Sequence, residues 1–321
     1  MQTNEPPRQM APGSVRIYRY ERMEGTGEGG DETGSEGEIG SEAGDWCFVR
    51  LPQRYAADGP PCPWIVCNHG NGWRMDGSER YANFSGKTQY GVDPQRDGAY
   101  LRPDLDGGRF RLYSNPTIEA LLAAGYIVCG AQNGGDLLYG NRACRLACAA
   151  FVRHMKRTYR VEERCAMLGV SNGFLTSLGA AAELGGAGAV SALIGLYPLC
   201  NLRHACEHTH RDGVKRAFGI SSDDPGEFAA KAGAFDPCGD RNGSGSATAP
   251  APQYPPTLLV WSATDQVLPM GEHAVRLAAR LRADGVDACD IRIDGDGEVC
   301  LHGDWRHFMP ERFVAWCERN R

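Results

Sequence analysis

The stretch Ala166-Met167-Leu168-Gly169-Val170-Ser171-Asn172-Gly173-Phe174-Leu175 decides how the rest of the 321-residue chain is read. An apolar run enters Gly-x-Ser-x-Gly, and small and apolar residues follow at helical spacing. This predicts a buried strand, one sharp turn and a helix folded back on the strand. The turn holds Ser171 in a strained backbone conformation with its hydroxyl presented outward. Strand and helix pass so closely that Gly169 and Gly173 must both lack side chains. The backbone amide of Asn172, opening the helix, points to where an oxyanion would form beside the serine. With 42 Gly in the chain, chance alone supplies about 0.24 such patterns, so the strand-turn-helix context has to carry the reading.

The formal charge of −6 is unevenly placed. Residues 21–45 hold nine acids and one base, which leaves the remainder at +2. The acidity belongs to one solvated segment, and nothing suggests a nucleic-acid surface. The 13 cysteines form no Cys-x-x-Cys pair, and Cys67, Cys129, Cys165 and Cys289 fall inside apolar segments. They read as buried free thiols in a reducing compartment, so a cytoplasmic location is expected. There is no apolar leader at the N-terminus and no apolar run of membrane-spanning length.

Val15–Tyr20 and Trp46–Leu51 alternate like strands and are expected to open the fold as an antiparallel pair. Between them, residues 23–44 form an acidic Gly/Glu/Ser segment too polar to order itself, so a disordered loop is expected. Pro63–Asn68 is a continuous apolar run, as in a strand buried on both faces, and it ends in His69-Gly70-Asn71-Gly72. Residues 73–113 read as a long insertion near the functional site. Helices are expected over Pro116–Ala124 and Arg142–Tyr159, with a strand at Tyr126–Gly130. Beyond Ser171 come strands at Ala189–Leu196, Thr257–Trp261 and Ala288–Ile293, and helices over Gly271–Ala283 and Pro310–Glu318. Residues 197–253, rich in His, Asp and Gly, read as a cap-like excursion. This alternation predicts an α/β fold in one domain over 1–321, a mostly parallel central sheet with helices on both faces. Ligands of such sheets sit at the carboxyl ends of the strands, where His69–Gly72, Ser171, Asp265 and His302 should meet.

A serine hydroxyl is a poor nucleophile at neutral pH and needs a base that a carboxylate orients. Asp265 lies just beyond the apolar strand Thr257–Trp261, and His302 lies between the last strand and the last helix. His307 also lies there. The small, turn-favouring Gly303 and Asp304 favour His302 as the base, while His307, close to the helix that Pro310 starts, is expected to cap or pack.

Taken together, His69-Gly70-Asn71-Gly72, Gly169-Val170-Ser171-Asn172-Gly173, Asp265-x-Val-x-Pro and His302-Gly303-Asp304 resemble the α/β-hydrolase superfamily of serine esterases, lipases and peptidases over roughly residues 14–320. The resemblance implies Ser171 as nucleophile, His302 as general base and acid, Asp265 as its orienter, and the amides of Asn71 and Asn172 as the oxyanion hole. It implies no cofactor and no metal. The 73–113 insertion departs from the common pattern. The expected activity is cleavage of a carboxylic ester, of a small molecule or derived from a polymer, through an acyl-enzyme. Two other readings stay open: a peptidase or amidase similar to the prolyl-oligopeptidase group, and a non-catalytic binding module on the same fold.

Other polar residues carry blander readings. His69 is expected to hold its loop by hydrogen bonding, and Asp136 and Asn141 to serve as turn and helix-capping residues. His204, Cys206, His208 and His210 could face a metal if helical. So dense a cluster on one face does not close a tetrahedron, which favours a polar cap helix.

Overall fold

A computed structural model describes residues 16–20, 45–70, 115–135, 138–239, 253–295 and 297–321. The acidic segment 23–44, the 73–113 insertion, Asn71, Asp136 and residues 240–252 lie outside the described residues.

The apolar runs become the middle of the sheet. Strands β3 (Trp64–Asn68), β4 (Ile127–Ala131), β5 (Cys165–Val170) and β6 (Val190–Leu196) are buried at every position. Strands β1 (Arg16–Tyr20), β2 (Asp45–Arg50), β7 (Thr257–Trp261) and β8 (Ala288–Arg292) complete an eight-stranded sheet in the order β1-β2-β4-β3-β5-β6-β7-β8. β1 pairs antiparallel with β2, and β2 antiparallel with β4; every other pairing is parallel. The edges show their position in their side chains. β1 turns Tyr18 and Tyr20 inward and Arg19 outward, and β8 is only half-buried.

Helices α1 (Pro116–Ala123), α2 (Arg142–Thr158), α3 (Gly173–Glu183), α6 (Arg276–Ala283) and α7 (Pro310–Asn320) connect or flank the strands. Asn141 caps α2 as expected, its side chain accepting from the Cys144 amide at 3.0 Å. The excursion after β6 carries α4 (Arg211–Phe218) and α5 (Pro225–Lys231). It is tied to α2 twice: Asn141 Nδ2 donates to the Ala217 carbonyl at 2.9 Å, and Arg145 donates to the Phe235 carbonyl at 3.1 Å. The helix expected from Gly271 starts instead with a wide π-helical turn, Gly271–Val275, which turns His273 inward.

This topology places the site. After β3 the chain turns to one side to make β4, then crosses to the other side to make β5. The carboxyl ends of β3 and β5 therefore form the switch point of the sheet. Asn68 pairs with Gly169, so His69 and Gly70 run out beside Val170 and Ser171. The two glycines are required by two different neighbours. A Cβ on Gly169 would lie 2.4 Å from Phe174 Cα at the start of α3, and one on Gly173 would lie 2.2 Å from the His69 carbonyl oxygen beyond β3.

Backbone atoms at that contact have no rotamer to move away with. Gly173→Ala should therefore cost about 2–3 kcal/mol, the usual range for forced overpacking. Gly188→Ala, where nothing lies within 4 Å of the added carbon, should stay within about 0.5 kcal/mol. Urea denaturation midpoints of the two variants check the contrast; equal midpoints would contradict it.

Candidate active site

Ser171 has φ = 51°, a left-handed conformation that costs a non-glycine residue about 1–2 kcal/mol. Its backbone is held from both sides: the amide donates to the Leu196 carbonyl and the carbonyl accepts from the Leu199 amide, each at 3.0 Å. The residue is less open than the turn alone suggests, at 8% exposed, and Asp265 and His302 are buried with it.

His302 Nε2 lies 3.1 Å from Ser171 Oγ, and His302 Nδ1 lies 2.7 Å from Asp265 Oδ2. Burial alone would raise the Asp265 carboxyl. The His302 ring, the hydrogen bond to it, and the Leu268 and Val267 amides outweigh that and hold it below the ordinary range. An ionised Asp265 can only accept, so the His302 proton sits on Nδ1 and Nε2 is left to accept from the serine hydroxyl. Ser171, His302 and Asp265 are thus joined by hydrogen bonds in that order.

Several further residues hold this arrangement; Thr264 and Asp294 among them are not singled out by the sequence. Thr264 Oγ1 accepts from the Cys300 amide at 2.7 Å, joining the loop that bears Asp265 to the loop that bears His302. Asp294 accepts from the Ala263 amide at 2.9 Å. Gly303 takes φ = 80°, which brings the imidazole back over the sheet. Asp304 is fully buried and pairs with Arg306 at 2.7 Å, bracing the same loop. His307 is also fully buried; it contacts its own loop, with Nδ1 donating to the Asp304 carbonyl at 2.9 Å, and does not reach Ser171 or Asp265 through a hydrogen bond. Tyr197, the first residue after β6, has φ = 36° and packs edge-to-face with both the His302 and the His307 ring.

On the other side of the serine, His69 holds its loop: Nδ1 lies 2.8 Å from the Gly70 carbonyl and Nε2 3.1 Å from the Gln132 carbonyl. A buried chain from Asn133 through Asn68 to Ser177 (2.7 and 2.8 Å) ties the ends of β4 and β3 to α3. Asn172 stands at the start of α3 beside Ser171.

The histidines of the excursion do not form one cluster. The His204 and His208 rings are 4.5 Å apart, while His210 lies against Tyr139. Among the described residues, no three His, Cys, Asp or Glu side chains are arranged to hold a metal ion. No helix among them is long and apolar enough to cross a membrane.

No protein-family model matches the chain, and no curated protein matches it in sequence. Solved structures do match. A puromycin-hydrolysing peptidase of Mycobacterium tuberculosis is 16% identical, with TM-score 0.55, over 87% of this chain and 38% of that one. Pyrococcus horikoshii acylaminoacyl peptidase is 13% identical, with TM-score 0.59, over 96% and 41%. An S-formylglutathione hydrolase from Agrobacterium tumefaciens is 12% identical, with TM-score 0.57, over 99% and 100%. The chain thus spans about two fifths of the length of the two peptidases and the full length of the third protein. What it shares with all three is the fold.

Acid should unfold the protein through its buried imidazoles. Burial holds His307 down to about 4 and His273 down to about 3, below the unfolded value. Between the two values the unfolded chain binds the proton and the folded chain does not. Stability is therefore complete above about pH 6.5 and falls as the pH drops toward 4, by about 3 kcal/mol for His307 alone. Urea midpoints at pH 7 and pH 4.5 should show the loss, and His307→Phe should reduce it. An unchanged midpoint would contradict the neutral, buried state.

Proposed function

With the α/β-hydrolase fold as premise, we propose that the protein is a serine hydrolase that cleaves a carboxylic ester of a small molecule or of polymer-derived material. The observation that carries this reading is the pair of hydrogen bonds from Asp265 through His302 to Ser171.

In the proposed reaction Ser171 Oγ attacks the ester carbonyl while His302 Nε2 takes its proton. Asp265, bonded at Nδ1, stabilises the imidazolium that forms. The carbonyl oxygen becomes an oxyanion, with the Asn172 amide as one donor; Asn71, the second candidate, lies outside the described residues. The tetrahedral intermediate collapses, His302 returns the proton to the departing alcohol, and an acyl group remains on Ser171. Water then repeats the attack, giving its proton to His302, and the carboxylic acid leaves as Ser171 is regenerated.

An amide substrate would use the same three residues, and its amine would leave in place of the alcohol. The M. tuberculosis and P. horikoshii neighbours are named as peptidases, but this chain spans only about two fifths of each. The neighbour it spans in full is named as a hydrolase of S-formylglutathione, a thioester, which favours acyl esters over peptides.

A fluorophosphonate probe should label Ser171, and p-nitrophenyl esters of graded chain length should be turned over faster than matched anilides. Ser171→Ala should abolish labelling and lower kcat by about 10⁴-fold or more, with the circular dichroism spectrum unchanged. A folded Ser171→Ala variant that keeps a substantial rate would exclude Ser171 as nucleophile. Well-folded wild-type protein that neither labels nor turns over an ester would favour a binding module.

A further inference from the structure

Tyr197 combines three features that core filling does not require. It is a bulky residue with φ = 36°, it is 1% exposed, and its ring packs against two imidazoles. The ring centroid lies 4.5 Å from that of His302 at an interplanar angle of 68°, and 4.8 Å from that of His307 at 76°. Both are edge-to-face contacts, the arrangement in which an aromatic ring fixes the tilt of its neighbour.

The position of Tyr197 is determined by the same strands that hold the elbow. Leu196, just before it, accepts from the Ser171 amide at 3.0 Å, and the Tyr197 amide donates to the Val260 carbonyl of β7 at 2.8 Å. The second of the two contacts is rigid, because His307 is fully buried and bonded to the Asp304 carbonyl. A left-handed tyrosine persists only where its surroundings over-determine it, and such positions cluster at functional sites.

We propose that Tyr197 is a positioning residue for His302: its ring, packed against both His302 and His307, sets the plane in which Nδ1 meets Asp265 and Nε2 meets Ser171. The proposal rests on His302 as the base in the hydrolase reading. Tyr197 acts through its contact with the His302 ring. The 68° edge-to-face contact is made while Nδ1 keeps its bond to Asp265 and Nε2 its bond to Ser171, so it opposes rotation of the imidazole without competing for either nitrogen.

The test compares Tyr197→Phe, which keeps the ring, with Tyr197→Asn, which accepts a left-handed backbone and removes it. The readouts are kcat and KM on an activated ester, thermal denaturation, and the downfield proton resonance of the His302 Nδ1–H bonded to Asp265. The phenylalanine variant should keep the resonance and stay within about threefold of wild-type kcat, whereas the asparagine variant should lose or broaden the resonance and fall about a hundredfold in kcat with little change in KM. If Tyr197→Asn does not fold, Tyr197→Leu takes its place. A folded, ring-less variant with the resonance and kcat intact would overturn the proposal, as would a phenylalanine variant that falls as far as the asparagine one. If the wild-type protein hydrolyses nothing, the hydrolase reading fails, and the resonance comparison still decides whether Tyr197 holds the imidazole.

Discussion

Ser171 stands at φ = 51° because β5 must reverse into α3 within two residues, and that reversal depends on backbone packing against backbone. The start of α3 comes so near the carbonyls of Asn68 and His69 that a single methyl group on Gly173 would overlap them. The same approach aligns the end of β3 with the elbow. The Asn133–Asn68–Ser177 chain and the contacts of His69 with the Gly70 and Gln132 carbonyls then lock the neighbouring loops to it. The serine is held in a costly conformation by a neighbourhood that has almost no freedom to relax.

The other two members are placed by loops rather than by strands. Asp265 and His302 lie on connections 37 residues apart that would be free to separate. Thr264 joins them through Cys300, and Asp304 with Arg306 braces the far end. Asp265 then spends one oxygen on two backbone amides and the other on His302, so one carboxylate orders its own loop and the imidazole together. The excursion after β6 is anchored by similar means: buried Asp236 accepts from the amides of Leu202, Arg203 and Cys238.

Much of this was legible in the sequence because it rests on local pattern. Apolar runs marked β3, β5, β6 and β7 to within a residue or two, and Pro310 marked the start of α7. Gly-x-Ser-x-Gly marked the elbow, and the small residues after His302 separated it from His307. What was not legible depends on contacts between distant segments. Thr264 is one threonine among many until Cys300 is brought beside it. Position 197 does not announce a positive φ, since it is a tyrosine and not the glycine or asparagine that usually signals one. His273 looked like an ordinary helical residue. Its role, accepting at Nδ1 from the Cys200 and Asn201 amides at 3.2 and 3.1 Å, appears only once the π-helical turn points it inward.

In the proposed reaction Ser171 becomes covalently acylated during turnover. A p-nitrophenyl ester of a bulky acid, whose acyl-enzyme breaks down slowly, allows a direct measurement by rapid acid quench and peptide mass spectrometry. A serine nucleophile should give a burst of about one nitrophenolate per chain, with the acyl mass on the peptide that contains Ser171. Steady turnover with no burst, or the acyl group on any other residue, would contradict it.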